Sequence, residues 1–305
     1  MNSAVNRPEN IHKGLTTING VETDVLPVAD RGTGYGHGLF ETMLFRVGEV
    51  PLWQRHSSRL VSDAPVLGLN VTKQTLDDNL AHFLDLLKQH SLSSGIIKII
   101  VTAGTGGRGY ASPAKLHLQI ICQYSALPDN LEQPRREGVA LTQCQYRLPV
   151  NPVLAGIKHL NRLDQVLARA EWRSGEGSGD ESSGDEYADG LMFSRDDLLI
   201  ETTCANIFIN TANNGWITPQ LDQAGVRGVM RGLLLEQLFN SAGLRVSECA
   251  INRAQLDAAT EIFICSSIRG LLPVTKINNL GQWSVGADTK RLQSALFDLY
   301  DCYPC

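Results

Sequence analysis

A polar stretch at residues 125–138, with Pro128, Pro134 and a charge cluster, breaks a chain that otherwise alternates apolar runs with amphipathic ones. Proline removes a backbone donor and fixes φ, so neither strand nor helix passes through such a stretch undisturbed. The 305 residues are enough for two compact domains or one large one. The break favours two: an N-terminal α/β unit over 1–124, a linker over 125–138, and a C-terminal unit over 139–305.

The first unit opens with a short hairpin over 17–28, turning at Asn19-Gly20, a pair that accepts positive φ readily. After the glycine-rich run from Arg31 to Gly38, residues 39–47 read as a buried strand. A helix is expected from Trp53 to about Asp63, before Pro65, with His56, Arg59 and Leu60 on neighbouring turns. Leu76, Leu80, Phe83, Leu84 and Leu87 recur at helical spacing over 75–89. Strands at 95–103 and 115–124 follow, joined by a glycine-rich loop. In the second unit, strands are expected at 139–146, 189–193, 206–210 and 261–265, and a helix at 226–242. Another helix, over about 161–173, has Leu163, Val166, Leu167 and Ala170 as its apolar stripe. Residues 174–184 are acidic and of low complexity, and read as a flexible surface insertion. The fold class is α/β (α+β).

Composition removes several functions. A net charge of −5 argues against a general nucleic-acid binder, which carries a basic excess. No apolar run approaches the roughly 20 residues that a membrane helix needs, and residues 1–13 lack the apolar stretch of a secretory signal. A soluble, cytoplasmic protein is expected. Cys122, Cys204 and Cys265 sit in apolar strand-like runs and read as buried reduced thiols. Cys302 and Cys305 have Cys-x-x-Cys spacing without a second ligand pair, so no metal site is expected.

The chemistry centres on Gly156-Ile157-Lys158-His159-Leu160-Asn161-Arg162-Leu163 and on Glu201-Thr202-Thr203-Cys204-Ala205-Asn206-Ile207-Phe208. Apolar neighbours desolvate the Lys158 ammonium and lower its pKa toward the range in which a neutral amine attacks carbonyls. An acidic residue on a separate strand, such as Glu201, is what a pyridoxal phosphate ring requires to hold its pyridinium proton. Either residue alone also describes an ordinary surface charge. Together, in this order and with these neighbours, they resemble the fold-type IV pyridoxal phosphate enzymes, the two-domain family of D-amino-acid and branched-chain aminotransferases. Within that family Lys-His-Leu-Asn-Arg-Leu is most similar to the aminodeoxychorismate lyases. The resemblance runs from about Ile18 to Val274, leaving out the acidic insertion.

The resemblance implies the remaining site residues. Lys158 carries the cofactor and is the catalytic base, and Glu201 meets the pyridine nitrogen. Arg59, in His56-Ser57-Ser58-Arg59-Leu60, matches the family's phosphate-binding arginine. Ser266 and Ser267 fall where a further phosphate ligand is placed, Ser267 being favoured. The turn Gly225-Val226-Arg227-Gly228 leads into a helix, so the Val226 and Arg227 amides are expected to face an anion; by itself the turn also describes an ordinary capped helix. The run from Gly32 to Gly38 fits neither a P-loop nor a dinucleotide fingerprint, and His37 and Thr42 beside it are candidates for substrate contact. Gly106-Gly107-Arg108-Gly109-Tyr110 is similar to a lyase segment, which makes Arg108 the candidate clasp for a substrate carboxylate. Where branched-chain aminotransferases place a tyrosine five residues after the lysine, this chain has Leu163. Trp216, where the family usually has an aliphatic residue, is read as packing only.

What the resemblance implies is a homodimeric lyase that converts the small molecule 4-amino-4-deoxychorismate to 4-aminobenzoate and pyruvate for folate synthesis. A D-amino-acid or branched-chain-type aminotransferase is the alternative.

Overall fold

In the computed structural model, which describes residues 14–128, 130–172 and 187–304, the N-terminal half builds one antiparallel sheet. Its strands are β1 (Thr16–Ile18), β2 (Val21–Glu22), β3 (Gly38–Phe45), β4 (Gly95–Thr102) and β5 (Gln119–Ser125), in the order β2-β1-β5-β4-β3. Asn19 and Gly20, at φ 50° and 80°, turn β1 into β2. Period-two alternation puts Leu39, Met43 and Phe45 on one face with Ile97, Ile99 and Val101. Among the described residues of this half are the α-helices α1 (Arg31–Tyr35), α2 (Trp53–Asp63) and α3 (Lys73–Gln89). Leu60 of α2 and Leu76, Leu80, Phe83 and Leu87 of α3 close over that face. Thr72 caps α3 by accepting from the Thr75 amide.

The glycine-rich run from Arg31 to Gly38 is partly helical. The buried Asp30 accepts from the Gly32 and Thr33 amides and so starts α1, and Gly36, at φ 65°, stops it one turn later.

Beyond α4 (Glu132–Glu137) a mixed sheet of nine strands forms: β6 (Val139–Leu148), β7 (Asp189–Ser194), β8 (Leu199–Thr202), β9 (Asn206–Thr211), β10 (Gly215–Pro219), β11 (Val246–Cys249), β12 (Ala259–Ser266), β13 (Gly270–Ile277) and β14 (Gly281–Gln282). Eight run in the order β11-β10-β9-β12-β13-β6-β7-β8, and β14 pairs with β13. The stretch 125–138 is more than a tether, because Arg135 of α4 is buried and donates to the Arg269 carbonyl at 2.8 Å.

Helix α5 (Leu163–Arg169) corrects one expectation. Leu163, Val166 and Leu167 are 67%, 61% and 47% exposed, and Ala168 is its buried residue. Helical spacing defines an apolar face but does not say what covers it. The helix expected from Val226 begins later, as α6 (Val229–Leu233), and passes through a π-turn (Leu234–Leu238) into α7 (Phe239–Ser241). There Phe239 packs with Phe208, Trp216 and Phe263, an aromatic cluster that accounts for Trp216 as core. Helices α8 (Arg253–Asp257) and α9 (Ala287–Leu299) complete this half, α9 burying Leu292 and Leu296. The acidic insertion 174–184 lies outside the described residues.

Candidate active site

Strand β3 is the edge of its sheet, and an edge strand has unpaired backbone groups to satisfy. It meets them with the segment that carries Lys158: Phe40 N donates to the Lys158 carbonyl at 3.0 Å, and Leu160 N to the Gly38 carbonyl at 3.0 Å. On its other side the same segment pairs with the turn before α6. Gly156 N donates to the Gly225 carbonyl and Arg227 N to the Gly156 carbonyl, each at 2.9 Å. Gly156 stands at φ 84°, and a Cβ there would lie 2.8 Å from the Arg227 guanidinium, so only glycine fits. Lys158 is thereby held between the two sheets. Protein surrounds its ammonium on nearly all sides, yet some of its surface stays accessible.

Lys158 Nζ lies 4.4 Å from the centre of the Phe40 ring. Burial, helped by the charges of Arg59 and Arg162 and opposed by Glu41 and Glu201, pulls its pKa down to about 8. Arg162 was missed as a site residue. It braces the lysine turn by donating to the His159 carbonyl at 2.8 Å and the Ile157 carbonyl at 3.1 Å. Lys98 of β4 was missed as well: its Nζ lies 5.1 Å from the same Phe40 ring, burial lowers its pKa, and no acid pairs with it among the described residues.

Glu201 projects from β8 and is buried. One carboxylate oxygen accepts from the Val226 amide at 2.9 Å, and the other has no hydrogen bond among the described residues. Burial drives the carboxyl pKa up to about 7 against the pull of the Val226 amide, Arg162 and Lys158. The turn after Glu201 is pinned by the buried Asp189, which accepts from the Thr202 and Thr203 hydroxyls at 2.8 and 2.6 Å and from the Thr203 amide at 3.0 Å. Asn206 ties the same motif to the α6 turn through the Val226 carbonyl at 2.8 Å and the Gly228 amide at 3.1 Å.

These bonds correct the expected anion cradle. The Val226 amide is taken by Glu201 and the Arg227 amide by Gly156, so neither is free to meet an anion. The Arg227 guanidinium is exposed and makes no hydrogen bond among the described residues. Arg59 sits on α2 beside Lys158. Its Nε and Nη2 donate to the two oxygens of Glu41 at 2.7 and 2.5 Å, and its Nη1 to the Arg227 carbonyl at 2.6 Å. Glu41 also holds His56 Nδ1 at 2.6 Å. Burial alone would raise Glu41, but Arg59 and His56 outweigh it and hold its pKa at about 2. Burial lowers the His56 pKa against the pull of Glu41, and Nε2 is buried without a partner among the described residues.

The other predicted residues divide. The Ser267 hydroxyl has no hydrogen bond among the described residues, whereas Ser266 Oγ accepts from the Arg269 amide at 3.2 Å. Thr42 is half-buried on the face of β3 that also carries Phe40. His37 uses both ring nitrogens within the protein, Nδ1 toward Arg31 Nε at 3.2 Å and Nε2 toward the Leu67 carbonyl at 2.8 Å. That corrects the substrate-contact expectation, since no ring nitrogen is left for a ligand. Arg108 is exposed, and its guanidinium makes no hydrogen bond among the described residues. Its loop is shaped by the buried Arg31, which donates to the carbonyls of Gly106, Gly109, Tyr110 and Ala111 at 3.1–3.4 Å. Cys204, expected to be buried, is exposed beside the Asp189 turn. Among the described residues no His, Cys, Asp and Glu cluster has the form of a metal site.

A desolvated lysine at a two-sheet junction, facing a buried carboxylate and an arginine, defines a class, and the comparisons agree. Residues 38–277 match the model for amino-transferase class IV, and the chain belongs to that family of pyridoxal phosphate enzymes. Among its relatives is an aminodeoxychorismate lyase of Vibrio harveyi, 33% identical over 92% of this chain and 98% of that protein. The crystal structure of 4-amino-4-deoxychorismate lyase from Pseudomonas aeruginosa superposes with a TM-score of 0.84 at 36% identity, covering 94% of this chain and 100% of the other. The branched-chain amino acid aminotransferase of Escherichia coli shares the fold, with a TM-score of 0.78 at 20% identity over 94% of each chain.

The residues present fit pyridoxal phosphate. Lys158 offers an amine of lowered pKa, and Glu201 offers a carboxylate oxygen that has no hydrogen bond among the described residues. At Gly225, φ 85°, a Cβ would lie 2.8 Å from the Ile200 and Leu221 side chains, so glycine lets the turn pack closely against the strand that carries Glu201.

Proposed function

We propose that this chain is a lyase that converts 4-amino-4-deoxychorismate to 4-aminobenzoate and pyruvate, in the cytoplasm and as a step toward folate. The reading rests on one observation above the rest: Lys158, with its pKa lowered to about 8, lies between the β3 edge and the α6 turn. It is supported by likeness over nearly the whole chain to proteins that bear the lyase name.

Pyridoxal phosphate, when bound, supplies a ring that takes up the electron pair left as a C–H bond beside its attached nitrogen breaks. The chain supplies the rest. Lys158 takes the proton from the ring carbon bearing the substrate nitrogen. The C–O bond to the enolpyruvyl group then breaks, and Lys158 delivers the proton to the methylene carbon of the departing group. Substrate atoms equal product atoms, no oxidant enters, and the carbocycle becomes aromatic. Glu201 would be the acid that holds the pyridine nitrogen in its protonated form. Arg59 and the Ser267 hydroxyl would hold the phosphate. Arg108 and Lys98 are the cations for the two substrate carboxylates. Leu163, exposed on α5, places no phenol near the cofactor, in keeping with a lyase.

A homodimer is part of this reading. The apolar residues Leu163, Val166 and Leu167 of α5, with Val150 and Val153 nearby in sequence, are exposed in the single chain and suit burial against a second copy. Free Cys122, Cys144, Cys249 and Cys265 suit a reducing compartment. No helix among the described residues is long and apolar enough to cross a membrane.

The deciding experiment supplies the purified protein with 4-amino-4-deoxychorismate generated in place and follows 4-aminobenzoate and pyruvate. Equimolar release of both, lost in Lys158→Ala, is the expected result. If neither product forms while D-alanine or a branched-chain amino acid bleaches the cofactor band, the protein is an aminotransferase.

A further inference from the structure

Glu41 interrupts an inward-facing row of β3 that otherwise reads Leu39, Met43, Phe45. It is fully buried. A buried ion pair is poor value for stability, because desolvation cancels most of its attraction and an apolar side chain of similar size serves as well. The retained carboxylate therefore calls for another role, and its partners indicate one.

Both carboxylate oxygens receive the Arg59 guanidinium side-on, which fixes the plane of the guanidinium as well as its position. The Arg227 carbonyl takes one N–H from Nη1. Of the five N–H groups of a guanidinium, two remain, one on each Nη. The charged and titratable groups around Arg59 are Glu41, His56, Asp63, Lys158, Arg162 and Arg227. Three of these are cations, so without Glu41 they repel the guanidinium and Asp63 is the acid left among its neighbours. Because the Val226 and Arg227 amides are already occupied, recognition of a phosphate here falls to side chains, and the aim of Arg59 matters to it.

We propose that Glu41 is a positioning residue, whose carboxylate fixes the plane of Arg59 so that the two remaining guanidinium N–H groups meet the cofactor phosphate. This rests on the assignment of Arg59 to the phosphate. It makes Glu41 responsible for preferring a phosphorylated cofactor, without touching that cofactor itself.

The test compares pyridoxal phosphate with pyridoxal, which lacks the phosphate, as ligands of the full-length protein, using the visible absorbance of the lysine-bound form. In Glu41→Gln, affinity for pyridoxal phosphate should fall by about 10–100-fold, the range for a charge-assisted hydrogen bond, while affinity for pyridoxal stays within about twofold. Arg59→Gln should show the same selective loss, and the double variant should be no worse than Arg59→Gln alone, since Glu41 acts through Arg59. Equal loss toward both ligands in Glu41→Gln, or no loss, overturns the proposal. If Arg59→Gln leaves the ratio of the two affinities unchanged, the phosphate assignment of Arg59 falls and this proposal with it, whatever the lyase assay gives. Should Glu41→Gln fail to fold, Glu41→Asp, which keeps the charge one methylene short of the guanidinium, must show the same selective loss; equal loss there also overturns it.

Discussion

Phe40 donates its backbone N–H to the Lys158 carbonyl at 3.0 Å, and its ring lies 4.4 Å from the Lys158 ammonium. One residue of the N-terminal sheet thus sets both the position and the dryness of the amine. Backbone pairing fixes where the lysine starts, and the ring excludes water from one side of its tip.

The dryness has a measurable consequence in the cofactor-free protein. An amine whose pKa is about 8 is roughly one-tenth neutral at pH 7, where an ordinary lysine is neutral at well under one part in a thousand. The rate of pyridoxal phosphate capture should rise with pH and level off above about pH 9. Stopped-flow absorbance across pH 6–11 checks this, and a rate still climbing at pH 10.5 would contradict it. Lys158→Ala should show neither capture nor turnover.

Glu201 should trade stability against function. Its pKa is about 7 in the folded chain and 4.5 for the free group. Below the lower value both states are protonated and burial of the carboxyl is uncharged. Between about 4.5 and 7 the unfolded chain has given up this proton while the folded chain keeps it, so stability falls across that window, and above 7 the full loss is present because the folded state holds a buried charge. Cofactor-free Glu201→Gln should therefore melt roughly 2–4 °C above the parent at pH 8, with the gap closing near pH 4.5. Its turnover should drop by about 100-fold or more, because a neutral amide does not hold the pyridinium charge. A gap that is the same at both pH values would refute the assignment.

Arg31→Ala removes the buried donor shared by four loop carbonyls, and with it the contacts that hold the loop against the sheet. A loss of about 2–4 kcal/mol is expected, read from denaturant unfolding, together with faster proteolytic cleavage between Gly106 and Ala111. An unaltered cleavage rate would show that the loop holds its shape without Arg31.

Arg108→Ala tests the tip of that same loop. The Michaelis constant for the substrate should rise by about 10–100-fold, while the cofactor absorbance and the melting temperature stay as they are. Unchanged kinetics would remove Arg108 from the substrate site.

Much of the site was legible because its chemistry needs unusual neighbours. Lys158 was marked by Ile157 and Leu160, and both strands and helices near it follow simple periodicities, as at Trp53–Asp63 and Gly38–Phe45. Glu41 was overlooked although period two exposes it: an acid at an inward position of an otherwise apolar row. Arg162 and Arg31 were not readable as site residues, since their roles lie in which main-chain carbonyls they reach, and those belong to turns that sequence spacing does not define. The Val226 and Arg227 amides were misjudged for a related reason. A helix start offers donors, but whether a carboxylate or carbonyl has already claimed them depends on tertiary contacts.

Lys158 lies between strand β3, complete by residue 45, and a turn at 225–227. In a chain growing from its N-terminus, the lysine leaves the ribosome long before the turn that encloses it. Until that turn docks, Lys158 is a solvated, protonated side chain with no more affinity for an aldehyde than any other lysine. Lys158 therefore acquires its lowered pKa only when the two halves have met.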